Sequence, residues 1–201
     1  MGFPPDQADR LAAYAHILET RAVTLGLISE RDKDRVLERH VLDSCRAKRC
    51  LTGSEIVVVD IGSGAGLPGV PVAILLPGLH VVLIEPMRKR AAFLEFVVAE
   101  LGLLNVRVLA DRAEDAAVSA DGALARAVAD APAAWLLARP LLSDDGCLVY
   151  FAGSSWDGAD VDRLRAVGAT ATICDEPRST GGGPLVAIRS GGSTGSPTSQ
   201  H

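Results

Sequence analysis

The run VVVDIGSGAGLPG, residues 57–69, restricts the fold more than any other stretch of the chain. A β-branched run ending in an acid, Asp60, opens at once into Gly62-x-Gly64-x-Gly66. Continuous apolar strands of this kind belong to parallel sheets covered on both faces, and a glycine turn at the carboxyl end is where such sheets bind ligands. The surrounding pattern agrees. From residue 55 onward, short β-branched runs at 55–61, 81–85, 106–110, 122–127, 147–151, 169–174 and 185–189 alternate with longer amphipathic stretches. Helices are expected after Gly69 and at 88–101, 131–142 and 160–166, with Gly102 and Gly168 as stops. Pro177 and Gly181-Gly182-Gly183 stand where a helix would join the last two strands, so an antiparallel pair is expected there. Before residue 53, Leu11, Ala15, Leu18, Val36, Leu37 and Val41 recur at helical spacing. The expected architecture is α/β and Rossmann-like: a seven-stranded, mostly parallel sheet with an antiparallel last strand. An N-terminal helical cap (1–52) precedes the sheet domain (53–190), and the Gly/Ser/Thr-rich tail (191–201) is flexible by composition.

Several function classes are disfavoured. The four cysteines, Cys45, Cys50, Cys147 and Cys174, form no C-x-x-C pair and read as reduced structural thiols, and the histidines make no metal cluster. No apolar run approaches the ~20 residues of a membrane span. The start MGFPPDQADR lacks a basic region followed by an apolar one, so a cytoplasmic protein is expected. A net charge of −5 means that a nucleic-acid partner must use a local patch. Arg35, Arg39, Arg46, Lys48 and Arg49 offer one, and Arg88-Lys89-Arg90 another.

The glycine spacing narrows the ligand. A dinucleotide fingerprint wants its third glycine at position 67, where this chain has Leu67. S-adenosylmethionine (SAM) carries no phosphate and needs only close backbone approach, which residues without a Cβ permit. Asp60 can order the loop or hold the amino group. Glu85, ending the next strand, is placed for ribose hydroxyls, and Asp111-Arg112-Ala113-Glu114-Asp115 for the adenine edge. Arg126, ending the fourth strand, offers a planar fork of donors for a carboxylate, a phosphate or a purine face, or for a structural ion pair. Neither an N-P-P-Y-like loop nor a cysteine nucleophile follows that strand. An acceptor with its own lone pair, such as a ring nitrogen, would need placement rather than a base.

Taken in order, these segments resemble the glucose-inhibited division protein B family, class I SAM-dependent methyltransferases of bacteria that act on guanine N7 in small-subunit ribosomal RNA. The resemblance rests on Arg39-His40-Val41-Leu42-Asp43-Ser44, on residues 59–69, on Leu83-Ile84-Glu85-Pro86-Met87-Arg88-Lys89-Arg90, on Arg112-Ala113-Glu114 and on Ala125-Arg126-Ala127-Val128-Ala129. It implies SAM contacts at Gly62, Leu67, Ala113, Glu114 and Arg126, and it places His40, Lys89 and Arg90 near the RNA or the mouth of the site. It also implies 16S ribosomal RNA, or the assembling small subunit, as partner. The chain departs from the family pattern at Ala152, where a lysine commonly precedes the glycine, and at Asp130, where an apolar residue is usual. With the acidic balance, these departures motivate two alternatives: a small-molecule methyltransferase on the same fold, and a SAM-binding protein without turnover.

Overall fold

The computed structural model describes residues 2–177 and 182–191, so nearly all of the expected flexible tail lies outside the described residues. Seven strands form one sheet in the order β3-β2-β1-β4-β5-β7-β6. They are β1 (Val57–Ile61), β2 (His80–Ile84), β3 (Val106–Leu109), β4 (Ala120–Arg126), β5 (Leu142–Phe151), β6 (Ala169–Asp175) and β7 (Leu185–Ser190). The pairs β1–β2, β2–β3, β1–β4 and β4–β5 are parallel, and β7 runs antiparallel to both β5 and β6. Strand order therefore reverses between β1 and β4, which creates a crevice at their carboxyl ends.

Side chains alternate across the sheet, and the two faces build two cores. Val58, Leu83, Leu124 and Val149 pack with α2 (Gly69–Leu75), α3 (Arg88–Glu100) and the N-terminal residues Leu11, Tyr14, Leu18, Val36 and Val41. On the opposite face, Val59, Ile61, Ala123 and Leu148 meet Trp135 and Ala138 of α4 (Ala131–Ala138) and Leu164 of α5 (Gly158–Ala166). Gly102 and Gly168 end α3 and α5 in the left-handed conformation expected of helix stops.

Three details differ from the sequence reading. Helix α4 ends at Ala138 because Pro140 supplies no amide hydrogen and crowds the turn before it; residues Arg139–Leu141 tighten into a 3-10 turn. Strand β5 consequently starts at Leu142, pairing with Ala120 before the register shifts to Gly122 with Cys147. The N-terminal region is a chain of short helical pieces: α1 (Pro5–Ile17), π-type turns at Leu18–Ala22 and Val36–Leu42, and 3-10 turns at Glu30–Arg35 and Cys45–Arg49.

The third difference concerns the cysteines. Cys50 and Cys174 are joined in a disulfide across 124 residues of sequence, and Cys45 and Cys147 are free and buried. The reading of four reduced thiols is corrected for this pair. Arg46 explains how the two segments meet. It is 2% exposed, and all five of its N–H donors are used. Nε donates to Asp175 Oδ2 at 2.6 Å, Nη1 to Asp43 Oδ1 at 2.8 Å, Nη2 to the Glu176 carbonyl at 2.9 Å, and both Nη atoms to the Gly183 carbonyl at 3.1 Å. Arg49 takes the second oxygen of Asp175 at 2.8 Å. This clamp fastens the cap to the β6–β7 edge and lays Cys50 beside Cys174.

Arg46→Ala should cost about 3 kcal/mol, since it leaves the half-buried Asp43 and Asp175 with only Arg126 and Arg49 beside them and strips the Glu176 and Gly183 carbonyls of their donor. Arg46→Lys should recover little of this, because three donors on a point charge cannot serve the planar set. Urea unfolding with the disulfide intact measures both. Repeating it after reduction should remove about a further 2–4 kcal/mol from the native protein.

Candidate functional site

The site is built where β1 hands the chain to α2. Asp60 is fully buried; its Oδ2 accepts the Gly69 amide at 3.1 Å, and its backbone carbonyl accepts the Ser63 hydroxyl at 2.9 Å. Its Oδ1 is buried with no partner among the described residues. Burial pushes the carboxyl up to about 7, against the opposing pull of the Gly69 amide, the Ser63 hydroxyl and Arg126. A Cβ on Gly69 would lie 2.4 Å from Leu83 Cδ2 and 2.7 Å from Asp60 Oδ2, so the joint requires glycine. Of the two roles expected for Asp60, ordering the loop is visible directly.

The loop itself is held from three sides. Gly62, Gly64 and Gly66 all have positive φ. Glu85 directly follows β2, is 2% exposed, and accepts the Gly64 amide at Oε2 and the Met87 amide at Oε1, each at 2.9 Å. Each oxygen keeps a further lone pair, so a bond to a ligand hydroxyl is compatible with both. Val128, after β4, closes over Gly62, where a Cβ would come within 2.8 Å of its Cγ2. From below, Tyr14 of α1 donates its hydroxyl to the Ala65 carbonyl at 2.8 Å, and a Cβ on Gly66 would approach that hydroxyl to 2.9 Å. Leu67 packs as a half-buried member of the first core.

Tyr14 was not singled out from the sequence. Its hydroxyl is pushed well above the usual tyrosine range by burial and by Asp60, with Arg126 opposing. The available signal was a lone aromatic on the buried stripe of Leu11, Ala15 and Leu18, which reads equally as core.

Arg126, at the end of β4, meets the cap. Its Nη2 lies 2.8 Å from His40 Nδ1, its Nη1 donates to Ser44 Oγ at 3.0 Å and the His40 carbonyl at 3.3 Å, and Asp43 Oδ2 stands 3.8 Å away. The guanidinium also sits 5.8 Å from the centre of the Phe151 ring. The R-H-x-x-D-S element and Arg126 therefore form one cluster, in which burial lowers the arginine's affinity for its proton while Asp43, Tyr14 and Asp60 raise it. A guanidinium cannot accept a hydrogen bond, so Nδ1 of His40 must carry the lone pair and Nε2 the proton. Burial, then Arg126, pulls the imidazole below its ordinary range and keeps it neutral.

The remaining expected residues lie further out. Lys89 is exposed and donates to the Leu25 carbonyl at 3.1 Å, and Arg90 lies 4.0 Å from Glu85. Ala113, in the 3-10 turn Ala113–Asp115 after β3, packs on the second core, whereas Glu114 is exposed and makes no hydrogen bond to the glycine loop among the described residues. The structure thus brings together Asp60, the three glycines, Glu85, Arg126 and His40, and leaves Glu114 and Lys89 at the periphery. This arrangement suits binding and orientation: its acids and its imidazole are engaged in holding backbone and guanidinium groups.

Asp60 has a defined pH signature. Its folded value near 7 exceeds the ordinary aspartate value of about 3.9, so the folded state retains a proton that the unfolded state releases. Stability from this group is fully present below about pH 4 and is lost as pH rises to about 7. Asp60→Asn removes the titration and keeps an oxygen for the Gly69 amide. Urea unfolding from pH 4 to 8 should show the native protein losing stability relative to the variant by a few kcal/mol across that window, to the order of magnitude that linkage allows. A constant difference would contradict the assignment.

Comparison with known proteins is consistent with this geometry. Residues 7–168 match the GidB family model, described as rRNA small subunit methyltransferase G. A ribosomal RNA small subunit methyltransferase G from Mycobacterium avium is 43% identical over 159 residues, covering 77% of this chain and 64% of the relative. One of the same name from Mycobacterium marinum is 46% identical over 145 residues, covering 70% and 63%. The chain thus spans less than two thirds of the length of these relatives. Among solved structures, the O-methyltransferase TomG from Streptomyces achromogenes, determined in complex with SAM, superposes with a TM-score of 0.57 at 18% identity, covering 91% of this chain and 90% of TomG. That likeness shows that the two chains share a fold. On the family match and the identity to these relatives, the chain belongs to the GidB family.

Proposed function

We propose that the protein is a SAM-dependent methyltransferase acting on guanine N7 of 16S ribosomal RNA, in the cytoplasm and on the small subunit or its assembling precursor. The observation that carries this reading is the convergence of Asp60, the glycine loop, Glu85 and Arg126 at the carboxyl ends of β1, β2 and β4, where the strand order reverses. The residues present suit the cofactor. Gly64 leaves its backbone open, with only the Gly62 carbonyl near the place a Cβ would take, Asp60 holds a buried oxygen with no partner among the described residues, and Glu85 binds the loop with lone pairs to spare. SAM supplies an activated methyl group on a sulfonium. The chain's contribution is to hold it: Glu85 at the ribose, Gly62, Gly64, Gly66 and Leu67 along the methionine portion, and Ala113 with Glu114 at the adenine. Arg126 supports the pocket or steers the acceptor, its orientation set by His40 and Ser44. A ring nitrogen brings its own lone pair, so orientation and exclusion of water suffice without a general base. Lys89, Arg90 and the neighbouring Arg88 provide phosphate contacts, with His40 at the mouth.

A second reading, methylation of a small molecule, is favoured by one feature: the exposed Asp130 after β4 and Ala152 after β5 leave the rim of the site without the positive charge that RNA phosphate favours. Incubation with radiolabelled SAM and either small-subunit ribosomal RNA lacking the modification or a low-mass cell extract separates the two. Label recovered as N7-methylguanine, and lost in Arg126→Ala, supports the ribosomal activity. Label confined to the low-mass fraction overturns it. Lys89→Glu combined with Arg90→Glu should weaken RNA binding and reduce the slope of its salt dependence by about 2.

A further inference from the structure

Apart from the segments assigned above, a cavity of about 170 Å³ opens between the loop after β4, the loop after β5 and the start of α5. Asp130, Tyr150, Ser155, Trp156, Asp160 and Arg163 line it. The volume equals that of on the order of six liquid waters, the scale of one heterocyclic base without its sugar. Tyr150 and Trp156 stand with ring centres 6.3 Å apart at 47°, and the Tyr150 hydroxyl is pinned to the Ala129 carbonyl at 3.0 Å. Of the two acids in the lining, Asp160 is paired with Arg163, so Asp130 is the acid there without an ion-pair partner among the described residues. Asp160 is committed to the Asp157 amide and to Arg163. Asp130 gives one oxygen to the Ala133 amide, and its Oδ2 has no hydrogen-bond partner among the described residues.

One short turn of the chain, Ala127–Asp130, links the residue packed on the glycine loop to the lining of the cavity. Ala127 has φ +54°, left-handed backbone that a residue with a Cβ adopts at some cost and that clusters at functional sites. The next residue, Val128, is the one that closes over Gly62, and two residues later Asp130 lines the cavity.

We propose that this cavity is the acceptor-base subsite, taking a guanine stacked on Trp156 with its N1–H and 2-amino edge toward Asp130. The inference rests on the methyltransferase reading above. A carboxylate accepts from both donors on that edge, whereas adenine presents an acceptor there and is repelled. Gripping that edge leaves N7, on the imidazole side of the purine, free to face the glycine loop. The N7 lone pair forms the new bond to the methyl carbon as the sulfur–carbon bond breaks. The positive charge passes from sulfur to the purine, S-adenosylhomocysteine leaves neutral, and no proton moves to the protein. The charge that develops on the purine strengthens N1–H as a donor, so Asp130 holds the transition state more tightly than it holds guanine.

Trp156 reports on the cavity, since the only other tryptophan, Trp135, is buried in the second core. Emission is titrated with guanosine, inosine and adenosine 5′-monophosphates, and single-turnover methylation of small-subunit RNA is measured alongside SAM affinity. Guanosine monophosphate should quench Trp156 and bind about tenfold more tightly than inosine monophosphate, which lacks the 2-amino group. Asp130→Asn, which keeps the acceptor that caps α4, should abolish that preference and slow methylation by about tenfold or more with SAM affinity unchanged. Trp156→Ala should weaken RNA methylation by about tenfold, and Trp156→Phe should restore most of it. If native protein methylates the RNA and both Asp130→Asn and Trp156→Ala do so at the native rate, the subsite is wrong and the ribosomal function stands. If native protein binds SAM and leaves the RNA unmethylated, the function is wrong; guanosine-selective quenching would then still support a guanine subsite, and its absence would remove that as well.

Discussion

The buried carboxyl of Asp60 is the joint on which the rest of the site depends. An acid taken fully out of water is tolerable only when hydrogen bonds or neighbouring charges compensate it, and here the Gly69 amide and the nearby Arg126 guanidinium do so in part. Because the amide belongs to Gly69, nine residues on, satisfying Asp60 fixes the whole path of the loop between β1 and α2. Gly69 has to be glycine for that approach, and Glu85 and Tyr14 then hold the loop from the next strand and from the cap. A carboxylate at the end of the central strand thereby places a glycine loop at the one point of the sheet where strand order reverses.

The cap is a structural part of this site. Tyr14 reaches from α1 into the loop, and His40, Asp43 and Ser44 surround Arg126. Asp43 also pairs with Arg46, whose other bonds run to β6 and to the segments flanking it and β7. A continuous line of polar contacts thus joins the end of β4 to the far edge of the sheet through the cap. Arg126 is held by four separate groups, so it presents a fixed orientation to whatever binds beside it.

Much of the fold was legible because it rests on local periodicity. The β-branched runs identified all seven strands, and Pro177 with the following glycines marked the antiparallel pair. Pro140 carried a local signal that α4 ends early, which the broad apolar pattern around it obscured. The site was legible in pieces. Asp60, the glycines and Glu85 follow from strand-end logic, and Arg126 and the R-H-x-x-D-S element were each conspicuous. That these last two meet depends on packing between segments 86 residues apart, which no periodicity records. The same holds for Tyr14, for the five-donor clamp of Arg46 and for Cys50 with Cys174. Each is an ordinary helix or strand residue until the cap is laid against the sheet.

The central claim is that the crevice at the ends of β1, β2 and β4 is a SAM site organised by Glu85 and the glycine loop. Calorimetric titration of the purified protein with SAM tests it most directly, with Glu85→Gln as the paired variant because it keeps the volume and one carbonyl acceptor. The account predicts saturable one-to-one binding to the native protein, weakened about tenfold or more in the variant, with NAD giving no heat. Absence of SAM binding, or equal affinity in the Glu85→Gln protein, would contradict it.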